Sequence, residues 1–203
     1  MKSIVFIGIG ALIGLAAILG VWQVAERNYT YQGSLIDPPA VAADFELVDQ
    51  NGQPFRLSDQ HSQVVLIFFG YTNCPDVCPV TLSDFRRVKQ QLGDQAGDVR
   101  FVFITVDPER DSQERLKAYL QGFDPAFVGL SGEPDTLQPV WTDYGVLVEK
   151  QETASAAGYL IDHTARVYAI DRQGNWRLTY PFGMEPEKMA RDVAHLLKEK
   201  VSQ

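Results

Sequence analysis

Two cysteines, Cys74 and Cys78, are the only ones in a chain of 203 residues, and three residues separate them. They lie in Gly70-Tyr71-Thr72-Asn73-Cys74-Pro75-Asp76-Val77-Cys78-Pro79. Three chemistries fit such a pair. A structural disulfide would close a five-residue loop and remove only about 2 kcal/mol of unfolded-state entropy; a staple usually joins distant segments. A redox pair is the second reading, although the usual thiol oxidoreductase spacing is Cys-x-x-Cys and this one holds an extra residue. The third is a metal site. Two thiolates are soft donors suited to Cu(I), and Cu(II) needs at least one more ligand.

The extra donor has one strong candidate. His163 ends Tyr159-Leu160-Ile161-Asp162-His163, just ahead of a strand-like stretch from Arg166. Its imidazole would complete a Cys–Cys–His set, but a lone histidine at a strand entry also reads as a hydrogen-bonded structural residue. Small and polar residues from Gln151 to Gly158 predict a mobile loop, from which His163 would swing toward the cysteines when metal binds. His61, in a polar turn, and His195, on the last helix, read as structural.

The elements that must position these groups are legible from periodicity. Phe45 to Val48 alternates and Asp49 to Gly52 reads as a turn, so a short hairpin is expected. Val64 to Phe69 is a continuous apolar run, the mark of a strand buried on both faces. A helix from about Pro79 to Leu92 follows, with Leu82, Phe85, Val88 and Leu92 on one stripe. The cysteines therefore fall at a helix start, where free N–H groups and the dipole favour thiolates. Val99 to Val106 is a second buried strand. Asp107 and Pro108 end it, and Asp111 with Glu114 reads as the cap of a helix to about Leu120; Arg110 has no partner visible in the sequence. Phe127 to Leu130 suggests a third strand, Thr136 to Tyr144 a short helix, Arg166 to Ile170 and Trp176 to Tyr180 a hairpin, and Glu185 to Val201 a final helix. This order is α/β and similar to a thioredoxin-like fold with an added N-terminal hairpin and an insertion. In that topology the His163 junction and the cysteine loop come from the same end of the sheet.

The chain is two unlike pieces. Residues 4–25 have Gln23 as their one clearly polar side chain, and as a helix they would span about 33 Å, enough for a bilayer core. Lys2 precedes them and Glu26 and Arg27 follow, which places the remainder outside the cytoplasm. Residues 1–27 are thus expected to be a single transmembrane anchor. A cleaved signal peptide is the rival, but Ala25 has Gln23 at the minus-three position, a poor A-x-A site. Residues 28–43, with Pro38-Pro39, read as a semi-rigid linker, and residues 44–203 as the globular domain. The formal net charge of the whole chain is −8. Past residue 25, 17 Lys and Arg face 26 Asp and Glu, which argues against a nucleic-acid surface.

Together, Gly70-Tyr71-Thr72 with Cys74 to Pro79, Val106-Asp107-Pro108-Glu109-Arg110-Asp111, Asp162-His163-Thr164 and Leu35-Ile36-Asp37-Pro38-Pro39 resemble the signatures of the Sco/SenC family of copper chaperones. The resemblance covers residues 34–200. It implies a thioredoxin-like domain with Cys74, Cys78 and His163 as ligands to Cu(I) or Cu(II). It also implies a part in assembling cytochrome c oxidase, notably the binuclear copper centre of subunit II. The expected protein is a single-pass, membrane-anchored copper chaperone with its domain on the periplasmic side, and not an enzyme in its main role. A membrane-tethered thiol–disulfide oxidoreductase, or a copper or redox sensor, is the alternative. Asp162 is a candidate to orient His163, since carboxylates often hydrogen-bond a ligating imidazole; it reads equally as a turn residue.

Overall fold

The computed structural model describes residues 29–152 and 158–199. The expected membrane anchor lies outside them, and among the described residues no helix is long and apolar enough to cross a membrane. The compact body begins at Gln32.

Its strands are β1 (Ser34–Val41), β2 (Glu46–Asp49), β3 (Pro54–Arg56), β4 (Val64–Gly70), β5 (Val99–Thr105), β6 (Val128–Ser131), β7 (Val148–Glu152), β8 (Tyr159–His163), β9 (Arg166–Ile170) and β10 (Asn175–Pro181). The helices are α1 (Val77–Leu92), α2 (Gln113–Gln121), α3 (Pro134–Asp143) and α4 (Pro186–Lys198). Eight strands make one sheet in the order β1-β10-β9-β4-β5-β6-β2-β3, and β7 and β8 form a separate two-stranded ribbon. Parallel pairing of β4, β5 and β6, with β9 antiparallel to β4, gives the mixed α/β, thioredoxin-like core expected from the alternating elements.

The continuous apolar runs are central strands. Every residue of β4 is buried, and its neighbours β5 and β9 supply the sheet on both sides. Alternation sends Phe68, Phe101 and Phe103 to the face covered by α1, where Phe85 meets Phe101 at 5.4 Å. Phe69 points the other way, against Tyr144 and Tyr168. The hairpin of β2 and β3 turns at Gly52, whose φ of +77° suits glycine.

Three expectations change. Much of the stretch read as a linker is a sheet edge: Ser34 pairs with Thr179, Leu35 with Leu178 and Ala40 with Trp176. The register shifts between Leu35 and Ala40, which takes in Pro38-Pro39. Prolines cannot donate to a ladder, so an edge strand with an irregularity is where they are tolerated. The body is tied down there by Asp192, fully buried on α4, whose carboxylate accepts from the backbone N–H groups of Gln32 and Gly33 at 2.9–3.1 Å. Second, the cap of α2 is Ser112, which accepts from Arg115 N; Asp111 is turned inward. Third, the segment ahead of Arg166 is itself a strand, β8. Of the loop expected to be mobile, Gln151 and Glu152 belong to β7, and residues 153–157 lie outside the described residues.

Candidate metal centre

The cysteine loop leaves the end of β4 and enters α1, which starts at Val77, two residues earlier than expected. Cys78 therefore sits in the first helical turn, fully buried. Gly70 makes this possible. A Cβ there would lie 2.8 Å from Cys78 Sγ and 2.9 Å from Phe103 Cε2, so the sulfur occupies space that any other residue would fill. Cys74 is half-buried, and both thiols are free. The Cys78 N–H, at the open end of the helix, points at Cys74 Sγ from 3.5 Å.

The two sulfurs differ in protonation. The Cys78 thiol donates to Cys74 and the His163 ring also hydrogen-bonds it, so Cys74 is brought down to about 4 despite burial. Holding that proton, and then burial, push Cys78 well above the usual thiol range. The pair carries one negative charge at neutral pH.

His163 arrives from the ribbon. Its Nε2 is 3.5 Å from Cys78 Sγ, and donor atoms of Cys74, Cys78 and His163 all lie within 4.8 Å of one another. The ring stands edge-on to Phe68 and Tyr71, both at 5.9 Å between centroids. Nδ1 faces the Thr164 carbonyl at 3.4 Å, which leaves Nε2 toward the sulfurs. No swing is required to bring His163 to the cysteines, because β8 already ends beside them. Asp162 is not brought to the site. On a strand it points away from the side that His163 uses; it is exposed and registers with Glu149 of β7, and among the described residues no hydrogen bond joins it to His163.

Sequence reasoning missed the residues that hold the two ligand-bearing segments. Asp111, fully buried, accepts from Thr72 N at 3.1 Å, from Thr72 Oγ1 at 2.6 Å and from Thr105 Oγ1 at 2.7 Å. It thereby fixes the start of the cysteine loop. Arg115 reaches the same loop at Thr72 Oγ1, 2.8 Å away, and at Asn73. Asp107 and Arg110 pair with each other and turn to the ribbon. The ribbon's strand is fixed a second time where Ile161 N donates to Tyr71 Oη at 3.2 Å. One signal was present: Tyr159-x-Ile161-x-His163 has the period of a strand with one face inward.

Two sulfurs and one imidazole nitrogen form a soft-to-borderline donor set. Among the described residues no fourth Cys, His, Asp or Glu belongs to the cluster, whereas a structural zinc site is usually closed by four. An aromatic wall backs the donors, and Cys74 and His163 remain partly accessible. The arrangement can hold a thiophilic cation and still accept a ligand from outside.

A thioredoxin-like domain with an open thiolate–imidazole site at a helix N-terminus is thus the class that fold and site define. The family model described as SCO1/SenC matches residues 34–198, and the chain belongs to that family. An SCO2-like protein of Rickettsia conorii is 32% identical over 185 residues, covering 90% of this chain and 88% of that protein. The mitochondrial SCO2 homologue of Homo sapiens is 34% identical over 186 residues, covering 88% and 70%. Among solved structures, Bradyrhizobium japonicum ScoI with copper bound is 40% identical, with a TM-score of 0.71 over 77% of this chain and 99% of that one.

Proposed function

We propose that this protein carries copper, bound by Cys74, Cys78 and His163, and passes it to the binuclear copper centre of cytochrome c oxidase, in subunit II. The observation that carries the reading is the meeting of the three donors within 4.8 Å; family membership and the copper-bound relative support it. In this reading Cys74 is already a thiolate and receives the ion, Cys78 gives up its proton on binding, and His163 supplies the donor that Cu(II) favours. The vacant side of a three-coordinate ion admits a recipient's ligand, so transfer proceeds stepwise. Residues 1–27 serve as the membrane anchor, with the domain on the periplasmic side. Oxidation of the Cys74 thiolate and the Cys78 thiol to a disulfide passes two electrons to an external oxidant such as another disulfide, releases one proton and removes both sulfur donors, so delivery requires the reduced pair.

Anomalous scattering at the copper edge from crystals of the loaded protein tests the ligand set. One copper bonded to both sulfurs and His163 Nε2 is expected. Copper elsewhere, or binding of both copper states unchanged in His163→Ala, overturns it. The lowered pKa of Cys74 favours a second reading, a thiol–disulfide reductant acting on the recipient's cysteines. That reading requires turnover on a disulfide substrate that survives His163→Ala.

A further inference from the structure

Residues 107–111 touch both halves of the site. At one end Asp111 holds Thr72 and with it the cysteine loop. At the other, Arg110 holds Tyr159, four residues before His163 on the same strand. The Arg110 guanidinium lies over the Tyr159 ring, with Cζ 3.6 Å from its centroid, and donates to the Tyr159 carbonyl at 3.0 Å. Its Nε pairs with Asp107, and the same Asp107 accepts from Tyr159 Oη at 2.8 Å. Arg110 also approaches the Tyr71 ring at 5.7 Å, and Tyr71 both faces His163 and accepts from Ile161 N. Tyr159, Ile161 and His163 share one side of β8, so a grip on the first two sets where the third ends.

We propose that Arg110 and Tyr159 are positioning residues that set the distance between His163 and the two sulfurs, and thereby how far the site favours Cu(II) over Cu(I). Among the described residues the ribbon shares no ladder with the main sheet; this grip, with the bond from Ile161 N to Tyr71, places it. Cu(I) is satisfied by two thiolates, while Cu(II) needs the imidazole. Loosening the strand therefore acts on one oxidation state. The inference deepens the copper reading and rests on it for its metal arm alone.

The test uses the full chain in detergent, with its three histidines isotope-labelled, and three variants: Tyr159→Ala, Arg110→Lys and Tyr159→Phe. Without metal, the His163 ring proton signal, set by the neighbouring Phe68 and Tyr71 rings, is expected to move or broaden most in Tyr159→Ala and least in Tyr159→Phe. Tyr159→Phe keeps the stacked ring and loses only the hydroxyl bonds. Arg110→Lys keeps the charge beside Asp107 and loses the planar fork. With copper, Tyr159→Ala is expected to weaken Cu(II) about tenfold, the low end of what outer contacts to a ligating histidine contribute, and to leave Cu(I) within about twofold. An unmoved His163 signal in Tyr159→Ala overturns the inference. So do equal losses of Cu(I) and Cu(II) in Arg110→Lys at unchanged melting temperature, which a merely structural role would give. A wild-type chain that binds no Cu(II) removes the copper reading instead, and the His163 signal still decides the positioning.

Discussion

The two sides of the site are built on different principles. The cysteines sit where a central strand buried on both faces meets the first turn of α1, and Cys78 fills the room left by Gly70. Sheet ladder, helix packing and a buried carboxylate all fix that position. The histidine sits at the end of a two-stranded ribbon that shares no ladder with the main sheet. Side chains hold it to the body: Tyr159 on Arg110 and Ile161 N on Tyr71. Backbone-built positions deform little, because packed interiors resist change. Positions held by a few side-chain contacts open locally at lower cost. The two thiolates are thus the fixed part of the site and the imidazole the adjustable part.

The comparison breaks most severely on the cysteine side. Gly70→Ala puts a methyl group 2.8 Å from Cys78 Sγ and 2.9 Å from Phe103. Overpacking of that kind costs about 1–3 kcal/mol, which chemical denaturation measures, and the displaced sulfur lowers copper affinity in both oxidation states. A variant with wild-type stability and wild-type Cu(I) binding would show that the cysteine side also yields.

Asp111→Ala comes next. It removes an acceptor from Thr72 N, Thr72 Oγ1 and Thr105 Oγ1, the last of these a buried contact. An orphaned buried donor costs about 1–3 kcal/mol. Arg115 still reaches Thr72 and Asn73 from the surface, so the loop loosens without being released. Hydrogen exchange at Thr72 N is expected to speed up while the amides of β8 are unaffected. Equal acceleration in β8 would mean that the two sides are one mechanical unit.

How much of this was readable beforehand follows the same division. The cysteine side was legible because its signals are local: an apolar run for β4, a helical stripe for α1, two thiols between them. The departures were small, α1 beginning at Val77 and not Pro79. On the histidine side the residue and the end of the sheet it comes from were legible, but not the strand that carries it. The strand β8 was missed because five residues beside a polar stretch give a weak period, although Tyr159, Ile161 and His163 alternate correctly. Asp111 was read as a cap because Asp followed by Glu three residues on is what a capping box looks like. Ser112, one residue later, makes the same bond, and only the tertiary position of Thr72 shows that Asp111 points inward. The pairing of β1 with β10 was hidden for a related reason, since Pro38-Pro39 masks a strand whose ladder bonds come from residues on either side.

The thiolate itself offers a gentler test. With Cys74 brought down to about 4, its thiolate persists as pH falls from 8 to 6 and is lost only near the folded-state value. Modification of the full chain by iodoacetamide should therefore proceed at Cys74 with a rate nearly flat over that interval. An ordinary thiol, with a pKa of about 8.5, slows roughly tenfold per unit in the lower part of it. Cys78, buried and with its proton held, should remain unmodified in the native protein, as peptide mass mapping would show. Equal labelling of both cysteines would mean that the helix start opens far more readily than its packing implies.

The smallest expected effect is at Asp162. Its neighbour His163 faces the sulfurs, so strand alternation turns the Asp162 carboxylate to solvent, beside Glu149 on β7. Two exposed carboxylates in register repel weakly, and like charges directly opposite are unfavourable in a ribbon. Asp162→Asn should leave Cu(II) affinity unchanged and, if anything, make the ribbon slightly more stable. The measurement is copper competition at neutral pH alongside exchange of the β7 and β8 amides. A clear loss of Cu(II) affinity would place the carboxylate on the imidazole when metal is bound. The adjustable side would then rearrange by more than its side-chain grip permits.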